Sequence, residues 1–207
     1  DQGSDAWKAM RIGKLTASRL AEAMARTKSG WGASRANLMA ELIAERLTGV
    51  AAEGFSNAAM AWGVEKEPDA RAAYELRTDY TVELIDFVPH PTIAMSGCSP
   101  DGLIGADGLV EFKCPQTATH LETLLGQSIP DKYIVQVQWQ MACTGRQWCD
   151  WTSYDPRLPE SMRLFVQRVM RDTRRIAELE DAAVEFLAEL DKKTAALTAR
   201  YAGVRAA

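Results

Sequence analysis

The sequence predicts an α/β (α+β) fold in which a central mixed β-sheet is flanked by helices. Hydrophobic residues follow helical spacing over the first part of the chain, alternate with period two in the middle, and return to helical spacing afterwards. Helices on either side of a meander of strands are typical of one domain of this class. We therefore predict a single domain over residues 1–207, with a helical C-terminal segment from about residue 172.

The first part of the chain carries start and stop signals of helices. Ser18 and Ser34 are predicted N-caps, because serine side chains accept hydrogen bonds from the free N–H groups of a first turn. Gly49 is a predicted helix end, because glycine adopts the left-handed conformation at low cost. The predicted helices span 19–26, 35–48 and, from Asn57, about 57–76, where Pro68 indicates a kink or a restart.

The rest of the chain supplies the strands and the remaining helices. The predicted strands lie at 80–88, 98–104, 109–114, 148–154 and 164–170. The remaining helices are predicted at 119–125, at 131–143 and from Asp172 toward Arg200. The short link Gly105-Ala106-Asp107-Gly108 is typical of a hairpin between its two flanking strands.

Composition argues against several classes of protein. No apolar run approaches the roughly 18 residues of a membrane span, and the start lacks a secretory signal pattern, so we expect no membrane partner and a cytoplasmic location. The four cysteines have no C-x-x-C spacing, which argues against a zinc site and favours reduced thiols. His90 and His120 have no ligand-like neighbours, and we expect both to be surface or loop residues.

The net charge of −4 does not by itself indicate a nucleic-acid partner. The charge is uneven, however, because residues 1–50 carry eight Lys and Arg against five Asp and Glu. Association depends on the field near a binding surface rather than on the total charge. Composition therefore leaves DNA binding open.

The predicted hairpin is the most informative segment. On its second strand Glu111 and Lys113 share one face, whereas Val110 and Phe112 share the other, apolar face, which we expect to lie against the core. The hairpin brings Asp101 opposite Glu111 and Lys113. Two carboxylates can hold Mg²⁺ without enclosing it, and a nearby ammonium can orient water or stabilise charge on a phosphate. The main-chain carbonyl of Phe112 is a further candidate metal ligand.

An exposed ion pair between Glu111 and Lys113 would explain the same spacing without any chemistry. The pattern D-x9-E-x-K is short and also arises by chance. Spacing alone leaves this alternative open.

The pattern of Asp101, Glu111 and Lys113 is also the signature of the PD-(D/E)XK nuclease superfamily, and the chain more narrowly resembles the phage lambda exonuclease family. The resemblance spans about residues 5–157. It is carried, in order, by Asp5-Ala6-Trp7, Arg11-Ile12-Gly13-Lys14-Leu15-Thr16-Ala17-Ser18, Ala61-Trp62-Gly63, Glu67, Asp69-Ala70-Arg71, Cys98-Ser99-Pro100-Asp101-Gly102-Leu103, Glu111-Phe112-Lys113-Cys114-Pro115, Gln136-Val137-Gln138 and Tyr154-Asp155-Pro156-Arg157.

The resemblance implies roles for the residues of the hairpin and its surroundings. Asp101 and Glu111 would bind metal, Mg²⁺ or Mn²⁺ and two ions per site, and Lys113 would assist the attacking water. Glu67 would add a carboxylate, and Gln136 would lie at the edge of the site. From the residues themselves, Glu67 could equally be a solvated helix residue, and Gln136 could be helix surface.

The resemblance also implies a pocket for the 5′-phosphate of the digested strand, formed by Arg11 and Ser18. The planar guanidinium of Arg11 suits a phosphate because its donors match the oxygens in pairs. Ser18 could instead be only a helix cap. The sequence departs from the family after Pro115, where a basic residue is expected but Thr117, Thr119 and His120 stand. Either His120 or another arginine would take that part.

The resemblance thus implies a metal-dependent 5′→3′ exonuclease that acts on double-stranded DNA ends and leaves 3′ single-stranded tails. It would be encoded by a phage or prophage, act in the bacterial cytoplasm as a homotrimeric ring, and work with a single-strand annealing protein. One alternative is an endonuclease of the same superfamily, which would have no use for an end-binding pocket. The other is a non-catalytic DNA-binding module, which the presence of all three signature residues argues against.

Overall fold

The computed structural model describes residues 2–52 and 58–202. Among these residues the helices are α1 (Asp5–Arg11), α2 (Leu20–Ala23), α3 (Ala33–Thr48), α4 (Ala58–Thr78), α5 (Thr117–Gly126), α6 (Asp131–Thr144) and α7 (Thr173–Tyr201). The strands are β1 (Leu15–Thr16), β2 (Arg26–Thr27), β3 (Gly30–Trp31), β4 (Val82–Glu83), β5 (Val88–Pro89), β6 (Ser96–Cys98), β7 (Gly102–Ile104), β8 (Gly108–Lys113), β9 (Trp148–Tyr154) and β10 (Leu164–Met170). No helix within the described ranges is long and apolar enough to cross a bilayer.

The main sheet has five strands in the order β10-β9-β8-β7-β4. β8 and β9 run parallel, and the other neighbours are antiparallel. A smaller mixed sheet has the order β1-β6-β5, and β2 pairs with β3. The predicted class, a mixed sheet flanked by helices, is confirmed.

Helix α4 covers one face of the main sheet. Its residues Ala70 and Tyr74 are fully buried and pack in one cluster with Val110 and Phe112 of β8. Burial of each large apolar side chain stabilises the fold by about 1.5–3 kcal/mol. Pro68 lies inside this helix, which continues through it to Thr78.

Helix α6 covers the other face, where Val137 and Met141 pack on Leu109 of β8. Because alternate residues of a strand share a face, Glu111 lies on the same side as Leu109. Val110 and Phe112 face a core cluster as expected, but the face that carries Glu111 is also covered, because α6 packs on it and buries Glu111.

A buried polar contact fixes α4 against the sheet. The Tyr74 hydroxyl donates a hydrogen bond to Asp150 Oδ2 at 2.7 Å, and Arg168 Nε donates to Asp150 Oδ1 at 2.8 Å. A carboxylate can be buried at tolerable cost when it is paired in this way. This contact therefore fixes the position of α4 and of the residues it carries.

Two predicted strands are each divided between two sheets. The segment 80–88 becomes β4 and β5, and the segment 98–104 becomes β6 and β7. The second division falls at Ser99-Pro100-Asp101, where Pro100 has no N–H to continue a ladder. Alternation predicts extended backbone but does not identify a strand's neighbours.

The main sheet leaves no room for a side chain where β7 begins. A Cβ on Gly102 would lie 2.1 Å from Val82 Cγ1 and 3.2 Å from Val110 Cγ1. Glycine therefore lets β7 lie between β4 and β8 directly after Asp101.

The predicted helix 19–26 is present only as the short α2, and its predicted cap at Ser18 is wrong. Ser18 lies inside a 3-10 turn, Ala17–Arg19, whose N-cap is Thr16, and α2 ends at Ala23. The chain then enters the β2–β3 hairpin, whose backbone pairing competes with the last predicted turn.

The other predicted helix ends have mixed outcomes. The N-cap of α3 is Gly32 rather than Ser34, whereas Gly49 ends the helix at a φ of 68°, as predicted. The predicted start at Asn57 lies outside the described residues. β9 and β10 have the predicted bounds, and Asp172 caps α7 by accepting hydrogen bonds from the N–H groups of Arg174 and Arg175, both at 3.0 Å.

Both histidines are buried. His120 lies in helix α5, so the prediction of a surface or loop position is wrong for it, whereas His90 lies in the loop after β5 but not at the surface. His90 stacks on Trp139 with ring centroids 4.8 Å apart. His120 Nδ1 lies 2.7 Å from Ser153 Oγ, and its Nε2 lies 2.8 Å from the Met162 carbonyl oxygen. Both ring nitrogens of His120 are thus occupied by contacts within the fold.

Candidate active site

The site begins where the ladder between β7 and β8 stops. The last pair is Gly102 with Val110, so the next N–H of β8 at this edge, that of Phe112, has no strand partner. The side chain of Asp101 replaces the missing strand, since its Oδ2 accepts from Phe112 N at 2.6 Å. The N–H and carbonyl of one strand residue face the same edge, so the Phe112 carbonyl faces this gap as well.

Glu111 is held from three sides. Gln136 Nε2 donates to its Oε1 and Gln140 Nε2 to its Oε2, each at 2.6 Å. Lys113 Nζ donates to Oε1 at 2.5 Å. Glu111 is only 2% exposed, so the alternative of an exposed ion pair is wrong.

The ammonium of Lys113 also lies 5.1 Å from the ring centroid of Tyr133. A cation over an aromatic face is attracted by the electrons of the ring. The Lys113 side chain keeps a quarter of its surface exposed. The lysine is thus held beside Glu111 while it remains reachable from outside.

Glu67 enters the site from α4. Together with Asp101 and Phe112 it lines a small cavity of about 30 Å³, which Pro68 and Arg71 complete. Glu67 is half-buried, so the alternative of a fully solvated helix residue does not describe it. The cavity places the carboxylate of α4 beside the hairpin.

The site carries more negative than positive charge. Burial raises the pKa of Asp101 well above its ordinary range, and the charges of Glu111 and Glu67 raise it further. Burial, and next the charge of Glu111, also raises the pKa of Glu67. Burial works against the charged form of Lys113, but Glu111 and Asp101 outweigh it, so the pKa of the ammonium lies above its ordinary value. The site therefore favours an added cation.

The donors present suit a hard divalent cation. Asp101, Glu67, Glu111 and the Phe112 carbonyl offer oxygen atoms, which Mg²⁺ prefers. Within residues 2–52 and 58–202, no three His, Cys, Asp or Glu side chains already form a cage. Mg²⁺ commonly takes one or two carboxylates and keeps several waters, so this donor set fits without such a cage.

A separate cationic pocket surrounds Arg11. Its Nη1 donates to Ser99 Oγ at 3.1 Å, and its Nη2 lies 3.5 Å from Thr16 Oγ1. Trp7 Nε1 also donates to Ser99 Oγ, at 3.0 Å, and the guanidinium carbon lies 4.2 Å from the Trp7 ring centroid. Ser18 Oγ completes the group, 3.5 Å from Thr16 Oγ1.

A cavity of about 160 Å³ lies beside this group, lined by Trp7, Arg11 and Thr16 and by the charged residues Lys8, Lys14, Arg19, Glu41 and Glu45. Burial lowers the pKa of Arg11, but a guanidinium still carries its charge at neutral pH. A half-buried cation beside three hydroxyl groups forms an arrangement that can bind an anion with several oxygens.

Several residues of these two groups were not predicted from the sequence. Gln140 lies four residues after Gln136 on α6, a spacing that puts both on one helix face. That spacing was visible in the sequence. Thr16 and Ser99 stand within the quoted motifs, but nothing in their spacing distinguished them from structural residues.

Comparisons with known proteins show similarity in sequence and in fold. The family model of the YqaJ-like viral recombinase domain matches residues 6–147. The crystal structure of LHK-Exo in complex with dAMP is 51% identical, with a TM-score of 0.91, and the match covers 96% of this chain and 98% of that one. The structure of the alkaline exonuclease LHK-Exo from Laribacter hongkongensis is 50% identical with a TM-score of 0.90 and the same 96% and 98% coverage.

A more distant structure shares the fold. The phage related exonuclease from Haemophilus somnus is 12% identical with a TM-score of 0.74, and the match covers 92% of this chain and 99% of that one. At this identity the likeness concerns the fold alone. Comparison with the curated proteins gave no match.

The raised pKa of Asp101 predicts how the metal-free protein responds to pH. Because the folded-state pKa lies above the unfolded one, the stability that this group contributes is present at low pH and is lost as the pH rises through the folded-state value. Asp101→Asn can still accept from Phe112 N but carries no charge. In EDTA at pH 8 the Asp101→Asn variant should therefore melt at a higher temperature than the wild type. Each kcal/mol gained in the free energy of unfolding should raise the melting temperature by about 2–4 °C.

The control for this prediction is Asp107→Asn at the exposed hairpin tip. The advantage of Asp101→Asn should shrink as the pH is lowered toward 4, and the control should track the wild type throughout. Equal melting temperatures of Asp101→Asn and wild type at pH 8 would contradict the prediction.

Proposed function

The chain belongs to the phage lambda exonuclease family, as a YqaJ-like viral recombinase, and we propose that it is a Mg²⁺-dependent 5′→3′ exonuclease on double-stranded DNA. Membership of this family shows a nuclease that acts in recombination. The direction, the duplex substrate and the metal are our proposal. Its product would be a 3′ single-stranded tail.

One observation carries the proposal: a single short segment joins the two groups of the site. Ser99 binds Arg11 in the cationic pocket, and Asp101, two residues later, binds Phe112 in the acidic cluster. Two residues of chain span at most about 7 Å, a distance on the scale of one nucleotide. A terminal phosphate bound at Arg11 would thus leave the next phosphate at the acidic cluster.

This arrangement would release one nucleotide at a time. Water would add to the phosphorus of the second phosphate, and the bond to the 3′ oxygen of the first nucleotide would break, with a proton passing to that oxygen. The shortened strand would again end in a 5′-phosphate, which Arg11, Ser18, Ser99 and Thr16 could bind. That LHK-Exo binds dAMP, a deoxynucleoside 5′-monophosphate, supports this product class.

The metal would be held by Asp101, Glu111, Glu67 and the Phe112 carbonyl, with Mn²⁺ as a substitute and two ions per site. When bound, the metal would polarise the phosphate and lower the pKa of water. Gln136 and Gln140 would keep Glu111 oriented. The Lys113 ammonium would orient the attacking water and stabilise negative charge that develops on the phosphate oxygens.

The end-binding pocket argues for an exonuclease over an endonuclease of the same superfamily. An endonuclease cuts within a strand and has no need to bind a terminal phosphate. Digestion of linear duplex DNA with circular duplex DNA left intact would support the proposal, and cutting of the closed circle would contradict it.

We further propose that three copies form a ring around the duplex. One chain of 207 residues is too small to encircle a duplex roughly 20 Å wide, so a topological grip requires a closed cyclic assembly. A ring also reconciles a net charge of −4 with DNA binding, because positive charge need only line the channel. The exposed 3′ tail would be taken up by a single-strand annealing protein.

The lysine at the acidic cluster provides the first test of this function. Lys113→Ala should lower the rate of digestion by roughly 10²-fold or more, because it removes a group that acts on the transition state. Lys132→Ala is the matched control, since the Lys132 ammonium also lies over the Tyr133 ring, 4.8 Å from its centroid. Single-turnover digestion of a labelled duplex in Mg²⁺ measures both, and near wild-type turnover of Lys113→Ala would overturn the assignment.

The Arg11 pocket provides a second test. The wild type should digest a 5′-phosphorylated duplex faster than one with a 5′-hydroxyl, because a terminal phosphate carries more charge than an internal one. Arg11→Ala should erase this preference, whereas Arg174→Ala on the exposed surface of α7 should keep it. Equal wild-type rates on both ends would count against the pocket.

The proposed assembly is tested by mass. Static light scattering should give a mass near three times 22.8 kDa. A monomer at micromolar concentration that digests long duplexes without dissociating would exclude the ring.

A further inference from the structure

Arg71 lines both cavities that touch the acidic cluster. It stands four residues after Glu67 on α4, so the two side chains share one helix face. The small cavity of about 30 Å³ is lined by Arg71 with Glu67, Pro68, Asp101 and Phe112. The neighbouring cavity, of about 310 Å³, shares four of these residues, Arg71 among them.

The other basic groups near the cluster already have partners. Lys113 is bound to Glu111 at 2.5 Å. Arg157 holds Asp155 with two nitrogens, at 2.7 and 3.0 Å, and also donates to the Pro115 carbonyl. His120 is buried with both ring nitrogens occupied, so it cannot supply the basic group expected after Pro115.

Arg71 is not committed in this way. No ion pair within 4.0 Å joins Arg71 to another residue of the ranges 2–52 and 58–202, although the acidic residues Glu67, Asp86 and Asp101 line the same cavity. Its charge lowers the pKa of Glu67, against the larger effect of burial. Its guanidinium thus lies near a carboxylate while its donors can turn toward the cavity.

The cavity volumes indicate what could reach Arg71. A space of about 30 Å³ accommodates one or two groups the size of a water molecule. Phosphate oxygens meet this limit, but a sugar or a base does not. The larger cavity, with Leu84 and Ile85 in its lining, has room for the nucleoside attached to that phosphate.

We propose that Arg71 binds the phosphate at which the strand is cut and is a further catalytic residue of this site, an inference that rests on the proposed nuclease function. Its planar fork would bind two phosphate oxygens. Arg71 would stay protonated throughout, because it stabilises charge and transfers no proton. It is the basic group that the segment after Pro115 lacks.

Kinetics distinguish this role from a purely structural ion pair with Glu67. Arg71→Ala should lower kcat by about 10²-fold with KM changed only a few-fold, because the contact strengthens as charge develops on the phosphate. Arg71→Lys should recover part of kcat, and added guanidinium ion should recover part of it in Arg71→Ala. Arg77→Ala on the same helix, which removes a bond to the Leu164 carbonyl, should keep wild-type kcat and show no rescue. Wild-type kcat in Arg71→Ala, or a loss that neither lysine nor guanidinium repairs, would overturn the proposal.

A binding measurement tests Arg71 independently of nuclease activity. In an Arg11→Ala background, which removes the cationic pocket, inorganic phosphate is titrated in Mg²⁺ and followed by ³¹P line broadening. The added change Arg71→Ala should weaken phosphate binding at least 10-fold, about 1.4 kcal/mol, while Arg77→Ala should not. Equal phosphate binding with and without Arg71 would refute the inference. Failure of the wild type to digest any duplex would instead refute the proposed function. The phosphate-binding measurement would then still decide whether Arg71 binds phosphate.

Discussion

The central constraint on this structure is the burial of carboxylates beside a strand that ends early. Asp101 accepts the hydrogen bond from the Phe112 N–H that a longer β7 would have accepted. Glu111, the residue before Phe112 on β8, is buried. A buried carboxylate is tolerable only with donors around it. The donors come from α6, through Gln136 and Gln140, and from Lys113. The positions of α6 over the sheet and of β7 beside β8 both follow from this need.

The division of the chain between two sheets serves the same site. The segment Ser99-Pro100-Asp101 leaves the small sheet after β6 and enters the main sheet at β7. In that short passage it contributes one side chain to the Arg11 pocket and one to the acidic cluster. A continuous strand would have put these two side chains, which are two residues apart, on one face and would have committed the backbone to a ladder. The irregular passage lets both groups meet without any long loop.

Local signals in the sequence predict the positions of the helices and strands better than they predict which strands pair. The bounds of β9, β10 and α7 were predictable because caps and alternation are properties of adjacent residues. The two sheet changes, at 84–87 and at 99–101, were not, because the partner of a strand depends on residues far away in the chain. The same limit explains the site: Asp101, Glu111 and Lys113 follow from one hairpin, whereas Thr16 and Ser99 meet only in the folded chain.

The close pairing of β7 with β8 restricts how chains with this site can differ in length. The ladder runs from Gly102 with Val110 to Ile104 with Gly108, and one residue inserted into β8 before Glu111 would reverse the faces of the β8 residues that follow it. Glu111 would then turn from the glutamines of α6 toward Tyr74 on α4, and an apolar side chain would meet the glutamines instead. Within this hairpin, insertions and deletions are therefore compatible with the site only at the tip, residues 105–107. The paired part of the hairpin therefore has one permitted length, and only its turn can vary.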